Sequence, residues 1–342
     1  MKNMMAIFAL AAGAIFSFQA MGSADTPAAS PAPLVLAQTV PVSGGAGHFD
    51  FMQPDRRAGR IYASHPGKGT LVVLDLKTHT VQQIDTNGEI NGIVVDRADN
   101  KLFACGGNQK IEVFNHDTLA KTDEISLTGP ADDLVLDTKT DTLYVDHDDG
   151  TEAWVVDAKT DKLTGSVTLA GAPEVVAYDS TSDKLYQNIK PANEIQVIDP
   201  ATNKVVSTWP TAPMESPHGL VVDSRNNRIF DAGNGKVDVI DLQSGKVLQT
   251  IDIAQGYVDQ IAFDRSQNRL YCASSVGALS VIDTSGDKVS LLGIVTVPKG
   301  THTLAVDPTD HGVWVSCYDD TSSFLQEYKA PGAPQTAATP SQ

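Results

Sequence analysis

Two histidines hold the same place in two near-copies of one phrase. His218 stands ahead of a short apolar run that closes on aspartate in SPHGLVVD (216–223), and His302 does the same in GTHTLAVD (300–307). In the copy between them, YVDQIAFD (257–264), that place belongs to Asp259. Imidazole nitrogen and carboxylate oxygen together suit a divalent ion. Nitrogen ligands favour Zn²⁺ or another transition metal, and oxygen-only sets favour Ca²⁺ or Mg²⁺. The same side chains can act as a general base and the carboxylate that orients it. His218, Asp259 and His302 are therefore the candidate metal ligands and the candidate catalytic residues.

The phrase occurs seven times. Counting back five residues from each closing aspartate gives Asp50, Asn91, Asp132, Glu174, His218, Asp259 and His302, all polar or ionisable. Two residues further on stand Met52, Ile93, Leu134, Val176, Leu220, Ile261 and Leu304, all apolar. This contrast implies that the first row faces a shared opening while the second packs inside, and convergent polar groups in a concavity are the usual form of a ligand site. His65 in ASHPGKG and His147 in VDHDDGTE fall in loops that return to the same end, and they complete the candidate ligand-binding set. His48 and Asn188 belong to that end too, whereas His79, His116 and His311 fall in turns at the other. HExxH, GxSxG, phosphate-loop and dinucleotide fingerprints are all missing from the sequence, so any chemistry rests on residues brought together from separate copies.

The elements that position these residues are read from the same repeat. The closing aspartates are Asp55, Asp96, Asp137, Asp179, Asp223, Asp264 and Asp307, at intervals of 41, 41, 42, 44, 41 and 43 residues. Six residues after each comes an aliphatic–aromatic pair, from Ile61-Tyr62 to Val313-Trp314. Later in each copy comes an acid or amide: Asp75, Asn115, Asp157, Asp199, Asp241, Asp283 and Glu327. A self-similar period near forty belongs to solenoids and propellers. The segments are short, rich in Val, Ile, Leu and Tyr, and separated by Asp, Asn, Gly, Ser and Thr turns, which is the signature of strands. The fifth copy parses as GLVVD, RIFDAG, KVDVID and KVLQTIDI, and four antiparallel strands make one propeller blade.

The expected fold is an all-β, seven-bladed β-propeller. Its last copy holds only three strands before APGAPQTAATPSQ, while LVLAQTVPVSGGAG (34–47) reads like the end of a unit. The N-terminal strand is therefore expected to complete the last blade and close the ring, which leaves no free sheet edge. The closing aspartates are read as caps of strand turns, because Asp accepts from backbone N–H groups just ahead of it. Trp154 and Trp314 are expected between blades, and Trp209, before Pro210, near an exposed loop.

A hydrophobic strand ending in Asp, then KLY, then VIDxxTxKV resembles the YVTN-type β-propeller repeat of exported bacterial proteins, over roughly residues 34–330. The tetrapeptide itself is degenerate here: YASH, FACG, YVDH, YQNI, FDAG, YCAS and WVSC. The resemblance implies the propeller and export. Its relatives are mostly binding or scaffold proteins, and some imply binding of single-stranded nucleic acid.

Composition narrows the function. A formal charge of −17 and a pI near 4.7 disfavour nucleic acid, whose phosphates need a basic face. Lys2, the apolar run MMAIFALAAGAIFSF (4–18) and the small residues GSA (22–24) form an export signal. That run is shorter than the roughly 20 residues a bilayer span requires, so no membrane span is expected. The expected organisation is a signal peptide (1–24), a disordered linker (25–33), the propeller (34–330) and a disordered tail (331–342), in a periplasmic or secreted monomer. Cys105, Cys272 and Cys317 are too few to form a disulfide framework, and their pairing is open. The leading expectation is a binding protein that recognises a small molecule, a peptide or a protein partner of the envelope at its polar channel mouth, with Zn²⁺, Ca²⁺ or Mg²⁺ as candidate cofactor. The alternative is a metal-assisted lyase or hydrolase at the same place.

Overall fold

The computed structural model describes residues 32–333; the segment read as a signal peptide and most of the residues read as linker and tail lie outside the described residues. Seven four-stranded antiparallel sheets follow one another as blades. Their innermost strands are Met52–Asp55, Ile93–Asp96, Ala131–Asp137, Pro173–Asp179, Gly219–Asp223, Val258–Asp264 and Leu304–Val306. In the first six blades the chain runs outward strand by strand. In the seventh the outermost strand is Val35–Val42, which pairs antiparallel with Ser323–Lys329 from Val35↔Lys329 to Val42↔Ser323. The ring is thus closed by the first strand on the last blade, as the repeat count requires.

The core lies between blades. The aromatic members of the repeat (Tyr62, Phe103, Tyr144, Tyr186, Phe230, Tyr271 and Trp314) are all buried. Tyr62, Leu71 and Val73 of the first blade pack with Ile93, Leu102 and Ala104 of the second, and the same kind of cluster recurs around the ring. Met52, Ile93, Leu134, Val176, Leu220, Ile261 and Leu304 are buried as well. At about 25 cal/mol per Å² of apolar surface removed from water, this inter-blade packing is the main force holding the wheel together. Five blades share a bulge between third and fourth strands, at Val113/Phe114, Val155/Val156, Val197/Ile198, Val239/Ile240 and Val281/Ile282, which bends the outermost strand.

The repeat aspartates cap turns. Asp55, Asp96, Asp137, Asp179, Asp264 and Asp307 each accept the N–H two residues ahead, at 2.7–3.1 Å. Asp223 departs from this: a short 3-10 turn follows it, and its carboxylate instead takes the Asn226 amide at 2.8 Å and the Arg228 guanidinium at 3.0 Å. The later row behaves alike, as with Asp157 and the Lys159 and Thr160 N–H groups.

Glu327 differs from the rest of its row. It lies inside Ser323–Lys329, a strand with no hairpin after it to cap, because its neighbour comes from the N-terminus. There Glu327 is buried, accepting from Gln38 at 2.6 Å and pairing with Lys329 at 3.0 Å, and so ties the closing strand into the seventh blade. Trp209 also differs: it is buried against Tyr186, with ring centroids 5.5 Å apart. The three cysteines are free and buried, and burial pushes their thiols up, Cys317 to about 12.

Candidate functional site

Each inner strand starts at one end of the channel, so the residue at its start faces the axis. Asp132, Glu174 and Asp259 lie one residue inside their strands, His218 immediately precedes Gly219, and Asp50, Asn91 and His302 stand two residues ahead of theirs. Glycine at 219 matters for this approach: a Cβ there would come within 2.8 Å of the Asp259 carbonyl oxygen. Asn91 donates to Asp132 Oδ1 at 3.4 Å and to the Ala131 carbonyl at 3.3 Å.

The four acids of the row form one electrostatic unit. Burial pushes Asp50 well above the usual carboxylate range, and Asp259 and Asp133 push it further. Burial does the same to Asp132, helped by Asp50 and Glu174, and to Asp259, helped by Asp132. Burial also pushes Glu174 up, but the His218 imidazole and Lys190 ammonium beside it outweigh that, and its carboxyl lies below the usual value. Lys190 Nζ is 3.1 Å from Glu174 Oε1.

Both histidines are oriented in the same way. Nδ1 of His218 donates to the Ser216 carbonyl at 3.1 Å, and Nδ1 of His302 to the Gly300 carbonyl at 2.6 Å. A carbonyl oxygen can only accept, so Nδ1 carries a proton and Nε2 is the atom turned to the mouth, a lone pair in the neutral ring and a second donor in the imidazolium. This is the way metal-binding imidazoles are held from behind. His218 is fixed further by its N–H on the Ala232 carbonyl and by Asn188, which donates to the His218 carbonyl at 2.8 Å. Its side chain is 1% exposed. Its Nε2 sits 3.2 Å from Glu174 Oε2 yet has no hydrogen-bond partner. Nε2 of His302 is 3.8 Å from Asp259 Oδ2. Burial and the neighbouring His48 lower the His302 pKa, which favours the neutral, ligating form.

The structure divides the trio read from the sequence. Among the described residues, two sets have ligand atoms all within 4.8 Å of one another: Asp50, Asp259 and His302, and Glu174, His218 and Asp259. Asp259 belongs to both, and neither contains both histidines. Tyr257 stands between the imidazoles, its ring edge-on to His218 at 4.6 Å and to His302 at 5.9 Å, while its hydroxyl donates to Asp259 Oδ1 at 3.0 Å.

His65 and His147 are tied within their own surroundings, and none of their hydrogen bonds or ion pairs among the described residues reaches the ring. His65 is buried, stacked on Phe49 at 4.2 Å and bonded to the Gly47 carbonyl at 3.1 Å and Ser323 Oγ at 3.2 Å; burial lowers it to about 4. His147 stacks on Trp154 at 4.4 Å, 3.3 Å from Asp149. His116 and His311 serve the far-end turns, on Asp55 at 2.6 Å and Asp264 at 2.7 Å.

Tyr257 and Lys190 belong to the site and are absent from the sequence reading. Tyr257 was within reach of it: two residues before the polar row, the same register holds His48, Glu89 and Tyr257. Lys190 was within reach too, since it comes from the loop after the second strand of its blade, the kind of loop from which His65 and His147 were read.

Below the ring the channel narrows at Phe51, Asp133, Val175 and Gln260. Gln260 crosses it, accepting from the Met52 N–H at 3.0 Å and the Leu304 N–H at 3.2 Å. Beyond this plug, a basin of about 580 Å³ opens at the other end, walled by Met52, Ile261, Phe263 and Leu304 among others. It is more apolar than the cavity of about 580 Å³ beside Glu174 and Lys190 at the mouth, but the clustered ligand atoms are all at the mouth.

No protein-family model matches the chain, and no curated protein matches it. Among solved structures the chain is similar to hydrazine synthase of Kuenenia stuttgartiensis, with a TM-score of 0.69 and 14% sequence identity over 91% of this chain and 99% of that one. At that identity the likeness establishes the propeller fold alone.

Proposed function

We propose that this propeller is a binding protein of the bacterial envelope whose acidic mouth takes a divalent transition-metal ion and, at the ion's open positions, a small molecule or a group of a peptide or protein partner. One observation carries the reading: a fully buried imidazole, His218, turns a ring nitrogen with no hydrogen-bond partner toward a carboxylate 3.2 Å away, and in the neutral ring that nitrogen is a lone pair. Two such electron-rich atoms repel each other unless a proton or a metal ion lies between them. The surplus of buried carboxylates around them selects a cation, and the imidazoles favour Zn²⁺ or a neighbouring transition metal over Ca²⁺ or Mg²⁺. Membership in the YVTN-type repeat family is supported by the sevenfold phrase, and a periplasmic or secreted location by the charged, apolar and small-residue segments at 1–24.

A second reading, a metal-assisted lyase or hydrolase, is favoured by the Tyr257 hydroxyl on Asp259. It places a proton donor beside the ligand set, where a bound metal would supply Lewis-acid polarisation or an activated water.

The test is metal analysis of the purified protein, followed by chelation and calorimetric titration with Zn²⁺ and Mn²⁺, alongside Asp259→Asn. Bound metal that this substitution releases supports the proposal. A protein that carries no metal and takes up none sinks it.

A further inference from the structure

The two ligand sets share one carboxylate and keep their histidines apart, and from this geometry we infer that the mouth holds two metal ions bridged by Asp259. Glu174 and His218 hold one ion, and Asp50 and His302 hold the other. The inference rests on the metal-binding reading above and deepens it from one ion to a binuclear centre.

Three observations carry it. The first is the division itself: Asp50, Asp259 and His302 could surround one point, and Glu174, His218 and Asp259 another. The second is the wedge. Tyr257 lies against both imidazoles, so a single ion cannot draw them together without displacing a ring that Lys190 also covers from 5.7 Å. The third is a matched pair of supports. Each histidine donates Nδ1–H to the carbonyl two residues before it, so each presents Nε2 to its own set. A binuclear site requires this duplication, and a single ion leaves one histidine unused.

Charge points the same way. Asp50, Asp132, Asp148, Glu174, Asp259 and Glu89 all act on one another at the mouth, and Lys190 is the fixed cation that reaches them. Once ligation displaces their protons, these carboxylates exceed the charge of Lys190 and one divalent ion together, which leaves room for a second ion. Carboxylate-bridged pairs in proteins stand about 3.5–4 Å apart, a separation that one aspartate spans with its two oxygens. The Tyr257 hydroxyl on Oδ1 fixes the rotation of that carboxylate.

The experiment is Mn²⁺ titration of the chelated protein, read by stoichiometry and by electron paramagnetic resonance. The wild type should take two ions per chain and give the many-line spectrum of an exchange-coupled pair. His218→Ala and His302→Ala should each keep one ion, seen as an isolated six-line signal. Asp259→Asn should weaken both ions by roughly tenfold or more. A wild type that binds one uncoupled ion overturns the inference while leaving metal binding intact, and so does loss of all metal in either single histidine variant that keeps its circular dichroism. A protein that binds no ion overturns both. The wild-type spectrum decides the matter without any variant, so a substitution that fails to fold does not remove the test.

Discussion

Asp133 offers a measurable consequence of burying an acid beside the channel. It lies buried directly behind the ring, and its carboxylate accepts the Leu134 N–H at 2.8 Å and the Val176 N–H at 3.2 Å. Burial pushes it up to about 7 in spite of those two donors. In an unfolded chain an aspartate titrates near about 3.9. A carboxyl with a raised folded pKa holds its proton longer in the native state, so the unfolded state binds fewer protons between the two values. Stability is therefore full below the unfolded pKa, falls as pH rises, and levels off above the folded pKa. Between about pH 5 and about pH 7 two units of that window remain, and at about 1.4 kcal/mol per unit Asp133 removes about 3 kcal/mol. Asp133→Asn abolishes the titration. It also turns one side-chain oxygen that accepts a backbone N–H into a donor, a fixed cost of about 1–3 kcal/mol at every pH, so the informative quantity is the change with pH. Urea unfolding in excess chelator at about pH 5 and about pH 8 should show the variant gaining about 3 kcal/mol on the wild type, or about 5 °C in Tm for a chain of this size. Parallel pH curves for the two proteins would refute the reasoning.

Three further outcomes follow from particular contacts. Gly245→Ala puts a Cβ into the Trp209 indole at a residue whose φ is +69°, and should lower stability by about 2 kcal/mol or more, read by denaturant midpoint; an unchanged midpoint would mean the indole moves aside freely. Arg228→Met removes a buried guanidinium held by Asp223 at 3.0 Å and by the Thr284 and Gly286 carbonyls, stranding Asp223 in the core, at a cost of about 3–5 kcal/mol in the same assay. Lys190→Ala withdraws the cation that competes for Glu174, and should tighten Zn²⁺ binding several-fold, most clearly at low salt; weaker binding would show that Lys190 orients Glu174 instead of opposing the ion.

The fold was legible because its information is periodic. Six of the seven repeat aspartates bonded to the N–H groups just ahead of them, and seven aromatics between blades, follow a local rule that one sequence displays copy after copy. Even the closure at Val35–Val42 could be read, since a three-stranded last copy leaves an edge that needs a partner. Glu327 escaped because the period ran past the point where the chain stops making hairpins. The polar ring was legible as a row, but its partnerships were not. Register gives the order of residues around an axis, whereas the pairing of His218 with Glu174 and of His302 with Asp50 depends on distances across it. It also depends on Tyr257, which enters from the approach to a strand. His65 and His147 share the face of the ring but found closer partners in Phe49 and Trp154.

This contrast explains where such a wheel can place chemistry. A capping aspartate finds backbone partners two and three residues away, so nearly every copy has the same local use for the same residue. The residue at the start of an inner strand faces the axis, where groups of adjoining blades meet it beside those of its own, as Asp259 meets both His302 and Tyr257. No single local rule fixes its type, which leaves the position free to differ from copy to copy. Asp50, Asp132 and Asp259 fill it with charges that repel one another in a partly dehydrated channel, and the sheets and inter-blade core must offset that cost. An arrangement that opposes folding at one spot, while every other layer of the structure agrees with the fold, is the mark of a place shaped by what it binds. Here the repulsion among the acids disappears when cations arrive. Stabilisation by added metal should therefore grow with pH from about 5 to 8, as the carboxylates that ligate it lose their protons, and a thermal shift independent of pH would break the link between the strain and the site.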